Sequence, residues 1–275
     1  MAKKVIPRVI TYLFLIIAVV VSLFPFYFMF VSATNTNHEI LAAPPTLMFG
    51  SSLMSNLATL SKKIDCVRVF INSLFVSVTF TALVILIDSM AGYALVKYQF
   101  KGRGIFFAVI MMTMMIPMEA MYIPLFTLMT NIGWANSYQA VILPPLANAF
   151  GIFLMRQNFI AFPTAMLEAA RLDGCNEFQI FGRIVMPNMK PALGALGIYM
   201  FMSVWNSFMW PLIILSTKDM YTFPVALSML EGNQWRRDYG VIMLMASITT
   251  LPIMAIFLIF QKQFVAGIMG GAIKE

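Results

Sequence analysis

The chain has 275 residues, of which 61% are hydrophobic and 11% charged, against about 45–50% and about 25% in soluble domains. With a net charge of +7, this composition excludes a soluble globular domain and leaves an integral membrane protein. The basic excess gives no sign of nucleic-acid binding, because Lys and Arg do not interleave with aromatics as a base-stacking surface requires.

A bilayer core about 30 Å thick takes about 20 apolar residues per helix, and six stretches qualify. The first, residues 9–33, carries no charge. Lys3, Lys4 and Arg8 precede it as they would in a signal peptide. The stretch is nevertheless longer than an apolar signal region of roughly 7–15 residues, and no small-residue cleavage site follows, so a retained helix is expected. The second, 70–96, is interrupted only by Asp88, and the third, 105–129, only by Glu119. The fourth covers 137–159, the fifth 192–215 and the sixth 239–261. Strand-like alternation does not run over these lengths, which argues against a barrel. The expectation is an all-α polytopic membrane protein with six transmembrane helices forming one domain over residues 1–275.

Basic residues near helix ends resist translocation. With both termini cytoplasmic, Lys62, Lys63, Arg68, Lys218, Arg236 and Arg237 fall outside, and the remainder of the 18 Lys and Arg fall inside. This orientation puts Cys66 and Cys175 on opposite sides of the membrane, where they cannot pair. A single histidine, His38, and no Cys/His cluster leave no metal site of recognisable spacing. No G-x-x-x-x-G-K-[ST] stretch is present, so no P-loop holds ATP. No catalytic residue and no bound cofactor are expected.

Residues 161–191 form a charged loop between two apolar stretches and fall on the cytoplasmic side. Pro163 suits the first turn of a helix, where its missing N–H costs nothing. A short helix then runs through Glu168, Ala169, Ala170 and Arg171, and Gly174 ends it with positive φ. Asn176 and Gln179 make a capping-box-like pair for a second helix. That helix carries Phe178, Ile180, Phe181 and Ile184 and is expected to stop before Pro187, because proline disfavours helical geometry in the residue ahead of it. Small Ala169 and Ala170 let another protein approach the backbone closely, with Glu168, Arg171 and Asp173 offering orienting charges. The alternative is a solvated connecting loop with ordinary caps.

The order E-A-A, three residues, G, nine residues, I-x-[L]-P, at Glu168, Ala169, Ala170, Gly174, Ile184 and Pro187, resembles the cytoplasmic loop signature of ABC importer permeases. Met186 stands where the family has leucine, a volume-conserving change. The stretches GYALVKYQFKGR (92–103), IPMEAMYIPLF (116–126), DGCNEFQIFGRI (173–184), WNSFMWPLIIL (205–215) and FVAGIMGGAIK (264–274) are similar to the permeases of carbohydrate importers of the maltose and arabinose-oligosaccharide kind. The resemblance implies the MetI-like fold of type I importers in a bacterial cytoplasmic membrane. It implies a second, homologous permease subunit, two copies of an ATPase subunit that hold ATP and Mg, and an extracellular or periplasmic sugar-binding protein. The loop helices would sit in a cleft of the ATPase with Glu168 facing a basic residue, and the glycine-rich tail, 262–275, would reach between the two ATPases.

Other positions keep two readings. An ionisable residue within an apolar span is by default a functional candidate, yet Asp88 lies near a helix end, which favours a solvated or paired structural role over a functional one. Glu119 suits a gate or a structural role, and the kinks expected at Pro117 and Pro124 suit a gate or an irregular packed helix. Trp205 and Asn206 are candidates for the substrate path, the ring stacking on a sugar face and the amide meeting hydroxyls. Trp210 suits an interfacial belt. In the loop 216–238, Glu231, Asn233 and Trp235 are candidates for contact with the binding protein, or belong to an ordinary solvated loop. The 25 methionines read as flexible core filler. The reading is a sugar importer's permease; its rivals are an importer of glycerol phosphate diesters or polyols, an ion-coupled carrier using Asp88 and Glu119, and a structural scaffold.

Overall fold

The computed structural model describes residues 2–231 and 237–269, with side-chain surroundings given for 10–231 and 237–261. Every regular element among the described residues is helical, as follows when backbone N–H and C=O groups must be satisfied within each segment of a membrane chain. The chain falls into two compact units, one of residues 1–66 with 226–252 and the other of residues 67–225 with 253–275.

The first unit opens on α1 (Ala2–Ser32), followed by α2 (Asn37–Ile40) and α3 (Leu53–Lys63). Over Ile10–Ser32 the side chains of α1 are apolar almost all round, and little of that stretch is covered by the rest of the chain. A helix of that kind requires lipid or a partner around it. Beyond α1, Thr36 and Glu39 close a capping box on α2. Asn56 of α3 donates to the carbonyl oxygens of Ala33 at 2.9 Å and Asn35 at 3.2 Å, so a buried amide replaces the hydrogen bonds that the end of α1 lacks.

In the second unit α4 (Cys66–Lys97) is one unbroken helix, followed by α5 (Arg103–Thr113), α6 (Met118–Asn131), α7 (Tyr138–Ile142) and α8 (Ala149–Ile160). Next come α9 (Thr164–Leu172), α10 (Glu177–Gln179), a π-helical stretch (Ile180–Val185), α11 (Met186–Asn188), α12 (Lys190–Trp205) and α13 (Met209–Ile214). After a 3₁₀ turn (Lys218–Met220), α14 (Phe223–Glu231) and α15 (Tyr239–Met269) each have residues in both units. The core gathers Val76, Phe80, Val84 and Tyr93 of α4, Met155 and Phe159 of α8, and Leu196 and Met200 of α12.

Ile10–Ser32, Cys66–Lys97 and Tyr239–Gln261 are long and apolar enough to cross a membrane as single helices. Three expected spans are instead divided. The third is α5 and α6, bent by 95°, with Pro117 in extended geometry at the break. The second proline, Pro124, lies inside α6 without ending it. The fourth is α7 and α8, parted at Pro144 and Pro145, with Asn148 capping α8 through the Gly151 amide at 3.1 Å. The fifth is α12 and α13, parted at residues 206–208. Composition sees only the apolar run; the prolines and the local caps decide where it breaks.

Candidate functional site

The loop 161–191 is built largely from local instructions. Pro163 takes extended geometry as the N-cap of α9, so the helix starts one residue later than its proline suggested. The buried side of α9 is Leu167 and Ala170, at 1% and 5% exposure, while Glu168, Ala169, Arg171 and Asp173 are exposed. Gly174 follows at φ +82°, a geometry that a Cβ would strain. The backbone then reverses, the Cys175 amide donating to the Ala170 carbonyl oxygen at 3.0 Å. Asn176 caps α10 by a complete capping box, its Oδ1 accepting from the Gln179 amide and the Gln179 Oε1 from the Asn176 amide, both at 2.9 Å.

The second helix does not stop before Pro187. It continues as a π-helical turn through Ile180–Val185 and on into α11, with Pro187 near its start. The wider i→i+5 pattern removes the α-register bond that Pro187 is unable to make, which lets the chain carry helical geometry past it. Ile184 is half-buried and Pro187 exposed.

The turn presents two large apolar side chains to solvent. Leu172 is 89% exposed and Phe178 80% exposed, so a polar turn carries a pair of apolar anchors beside Glu168, Ala169 and Asp173. Behind the start of α9 an open cleft of about 440 Å³ is bounded by Asn158, Phe162, Met166, Asn188 and Ala192. At the far end of α9, Arg171 Nε donates to Glu177 Oε1 at 2.8 Å and the Tyr98 hydroxyl donates to Glu177 Oε2 at 2.6 Å. The hydrogen bonds from Arg171 and Tyr98 hold the Glu177 carboxyl below the usual range. Burial, reinforced by the bond to Glu177, pushes the Tyr98 hydroxyl up to about 12. Glu177 and Tyr98 were not singled out in the sequence, where they stand 79 positions apart.

The remaining candidates lie elsewhere. Trp205 is 1% exposed, its ring packed against Phe201 at 5.5 Å, Phe223 at 5.6 Å and Phe70 at 6.3 Å between centroids. Asn206, by contrast, is exposed at the break after α12, with Nδ2 donating to the Met202 carbonyl oxygen at 2.8 Å. Glu119 is exposed in the first turn of α6, and Trp210 is buried, its indole N–H donating to the Ala140 carbonyl oxygen at 2.9 Å. Glu231 is exposed at the end of α14, while Asn233, Trp235 and the tail beyond 269 lie outside the described residues. Among the described residues no group of His, Cys, Asp and Glu is placed to hold a metal ion.

These features belong to a membrane transport component with a structured polar turn. Residues 84–270 match the family described as binding-protein-dependent transport system inner membrane component, and the chain belongs to that family. It is 37% identical over 268 residues to the lactose transport system permease protein of Rhizobium radiobacter, covering 98% of this chain and 97% of the relative. It is 36% identical over 270 residues to the arabinooligosaccharides transport system permease protein of Bacillus subtilis strain 168, with 97% and 96% covered. The sn-glycerol-3-phosphate transport system permease protein of Escherichia coli K12 is 31% identical over 262 residues, with 93% of each chain covered. In fold, the chain matches one chain of a bacterial ABC transporter involved in import of the acidic polysaccharide alginate, with a TM-score of 0.83 over 96% of this chain and 98% of that one at 22% identity. It is therefore a multi-pass component of the inner membrane, and its part is transport, not chemistry on a substrate.

Proposed function

We propose that this chain is one of two homologous permease subunits in an ATP-driven importer, crossing the membrane with six spans, both termini and the loop 161–191 cytoplasmic. Its cargo is a sugar, an oligosaccharide for preference, handed over by an external binding protein. Lactose and arabino-oligosaccharide permeases among its relatives support the sugar. ATP and its Mg belong to the two ATPase subunits; this chain transmits their motion and lines the route.

The observation that carries the reading is the turn at α9 and α10. Exposed Leu172 and Phe178 supply apolar anchors of the kind that concentrates binding energy in an interface. Glu168 and Asp173 supply charge on the same turn, and Ala169 lets a partner approach the backbone. ATP binding draws the two ATPases together and carries the docked turn with them. Rigid-body motion of the helices then switches the route from inward-facing to outward-facing. Ile184 and Pro187 shape the rear of the turn, and Gly174 sets its reversal.

The test is the complex reconstituted in liposomes with its partner permease, ATPase and binding protein, offered lactose, arabinotriose and glycerol 3-phosphate. Wild type is expected to accumulate one of the two sugars, and Glu168→Lys to insert normally while ATP is hydrolysed without uptake. Normal uptake by Glu168→Lys would overturn the role of the turn, and uptake of glycerol 3-phosphate alone would reassign the cargo. Transport that survives removal of the ATPase would favour an ion-coupled carrier.

A further inference from the structure

The last turn of α4 and the residue after it hold α9 at both of its ends. Lys97 Nζ donates to the Phe162 carbonyl oxygen at 2.6 Å, just ahead of α9, and lies 5.7 Å over the centre of the Phe162 ring. Its neighbour Tyr98 reaches the other side, donating to Glu177 at the first position of α10. Between those attachments lies the whole of α9. Glu177 is held at the same time by Arg171, through Nε and, at 3.3 Å, Nη2, so the far attachment joins α4, α9 and α10 at one carboxylate.

Both attachments are backed by packing. Tyr93, one turn earlier on α4, is 3% exposed and contacts the rings of Phe181 at 5.5 Å, Phe159 at 5.6 Å and Tyr98 at 5.8 Å. Arg103 Nη1 reaches the carbonyl oxygens of Tyr98 at 3.2 Å and Val96 at 3.4 Å, so the segment carrying Lys97 and Tyr98 is itself fixed.

An ion pair as exposed as Arg171 with Glu177, at 40% and 41%, adds little to the stability of a fold. Its larger consequence is geometric. One attachment lets a helix pivot, whereas two attachments flanking α9 oblige the helix and its holder to move together. We propose that Lys97 and Tyr98 are positioning residues that make α4 and the α9 turn one moving body, so that displacement of the turn enters the membrane through α4. This inference rests on the docking role proposed for the turn.

The test compares Tyr98→Phe, Glu177→Ala and Lys97→Met in the same reconstituted importer, with lactose and arabinotriose as probes. ATP hydrolysed per sugar delivered is expected to rise by about 2- to 30-fold, the range for loss of a coupling contact, while the ATPase still co-purifies at wild-type stoichiometry. Tyr98→Phe is expected to add nothing on a Glu177→Ala background, because both changes remove the same bond. Should Glu177→Ala fail to assemble, Lys97→Met tests the opposite attachment. A wild-type ratio in Tyr98→Phe and Lys97→Met, or additive losses in the double variant, would overturn the grip. Uncoupling by Glu168→Lys in that same experiment would leave the turn's docking role standing; normal transport by Glu168→Lys would sink the docking role instead.

Discussion

The carboxyl group of Asp88 on α4 occupies the space that a side chain at Gly151 on α8 would need: a Cβ built on Gly151 falls onto Asp88 Oδ2. Asp88 is fully buried there, beside the backbone of Asn148, the cap of α8. The two residues bring the fourth segment into close contact with the second, and neither carboxyl oxygen of Asp88 has a hydrogen-bond partner among the described residues.

Gly151→Ala is therefore expected to destabilise the protein by about 1–3 kcal/mol, the usual penalty for overpacking. Melting of the detergent-solubilised complex measures it. Asp88→Ala in the Gly151→Ala background vacates the contested space, so the double variant is expected to lose less than the two single losses added together. Strict additivity would mean that the two residues do not compete for this space.

Gly174→Ala places a Cβ at φ +82° and is expected to cost about 1–2 kcal/mol, the left-handed penalty for an L-residue. Gly174→Asn is expected to cost less, since asparagine tolerates this geometry. Circular dichroism melting of the two variants orders them, and an equal loss in both would contradict the assignment.

Trp205 and Asn206 are adjacent in sequence and opposite in surroundings. Trp205→Ala removes a ring packed against three phenylalanines and is expected to cost about 3–5 kcal/mol, read as reduced folded protein in the membrane. Asn206→Ala is expected to fold normally and to change the apparent KM for the imported sugar. Full-yield Trp205→Ala with altered KM would restore the indole to the substrate path.

Acid sensitivity follows from Glu177. Its carboxyl is held down by Arg171 and Tyr98, and the Arg171 guanidinium is correspondingly held up. In the unfolded chain a glutamate takes up a proton near about pH 4.3, before the folded one does. The clasp's contribution is thus fully present above that pH and is lost as pH falls through the lower folded value. Tyr98, at about 12, stays protonated and donating throughout. Melting measured from neutral pH down through that window is expected to fall less steeply in Glu177→Ala than in wild type.

Features set by short stretches of chain were legible in the sequence. The reversal at Gly174 and the capping box of Asn176 with Gln179 each need only a few adjacent residues, and both are present. The stop expected before Pro187 failed because the chain relieves proline by widening its turn instead of ending its helix. The kink expected at Pro117 is present as the 95° bend between α5 and α6, whereas the breaks in the fourth and fifth apolar stretches were hidden, because an apolar run reads the same whether or not its axis is straight. Tyr98 with Glu177 and Asp88 with Gly151 were out of reach because their partners meet only after the helices have packed. Leu172 was not singled out, because an apolar residue on a short amphipathic helix carries no mark of which side the fold leaves exposed.

The central claim is that the α9 turn is the surface on which a nucleotide-hydrolysing partner pulls. Its most direct measurement is a photo-reactive residue introduced at Leu172, and separately at Phe178, in the assembled importer in native membranes. The account predicts a crosslink from both positions to the ATPase subunit, with a yield that Glu168→Lys reduces. Crosslinks from both positions to lipid or to the partner permease, and none to the ATPase, would contradict it.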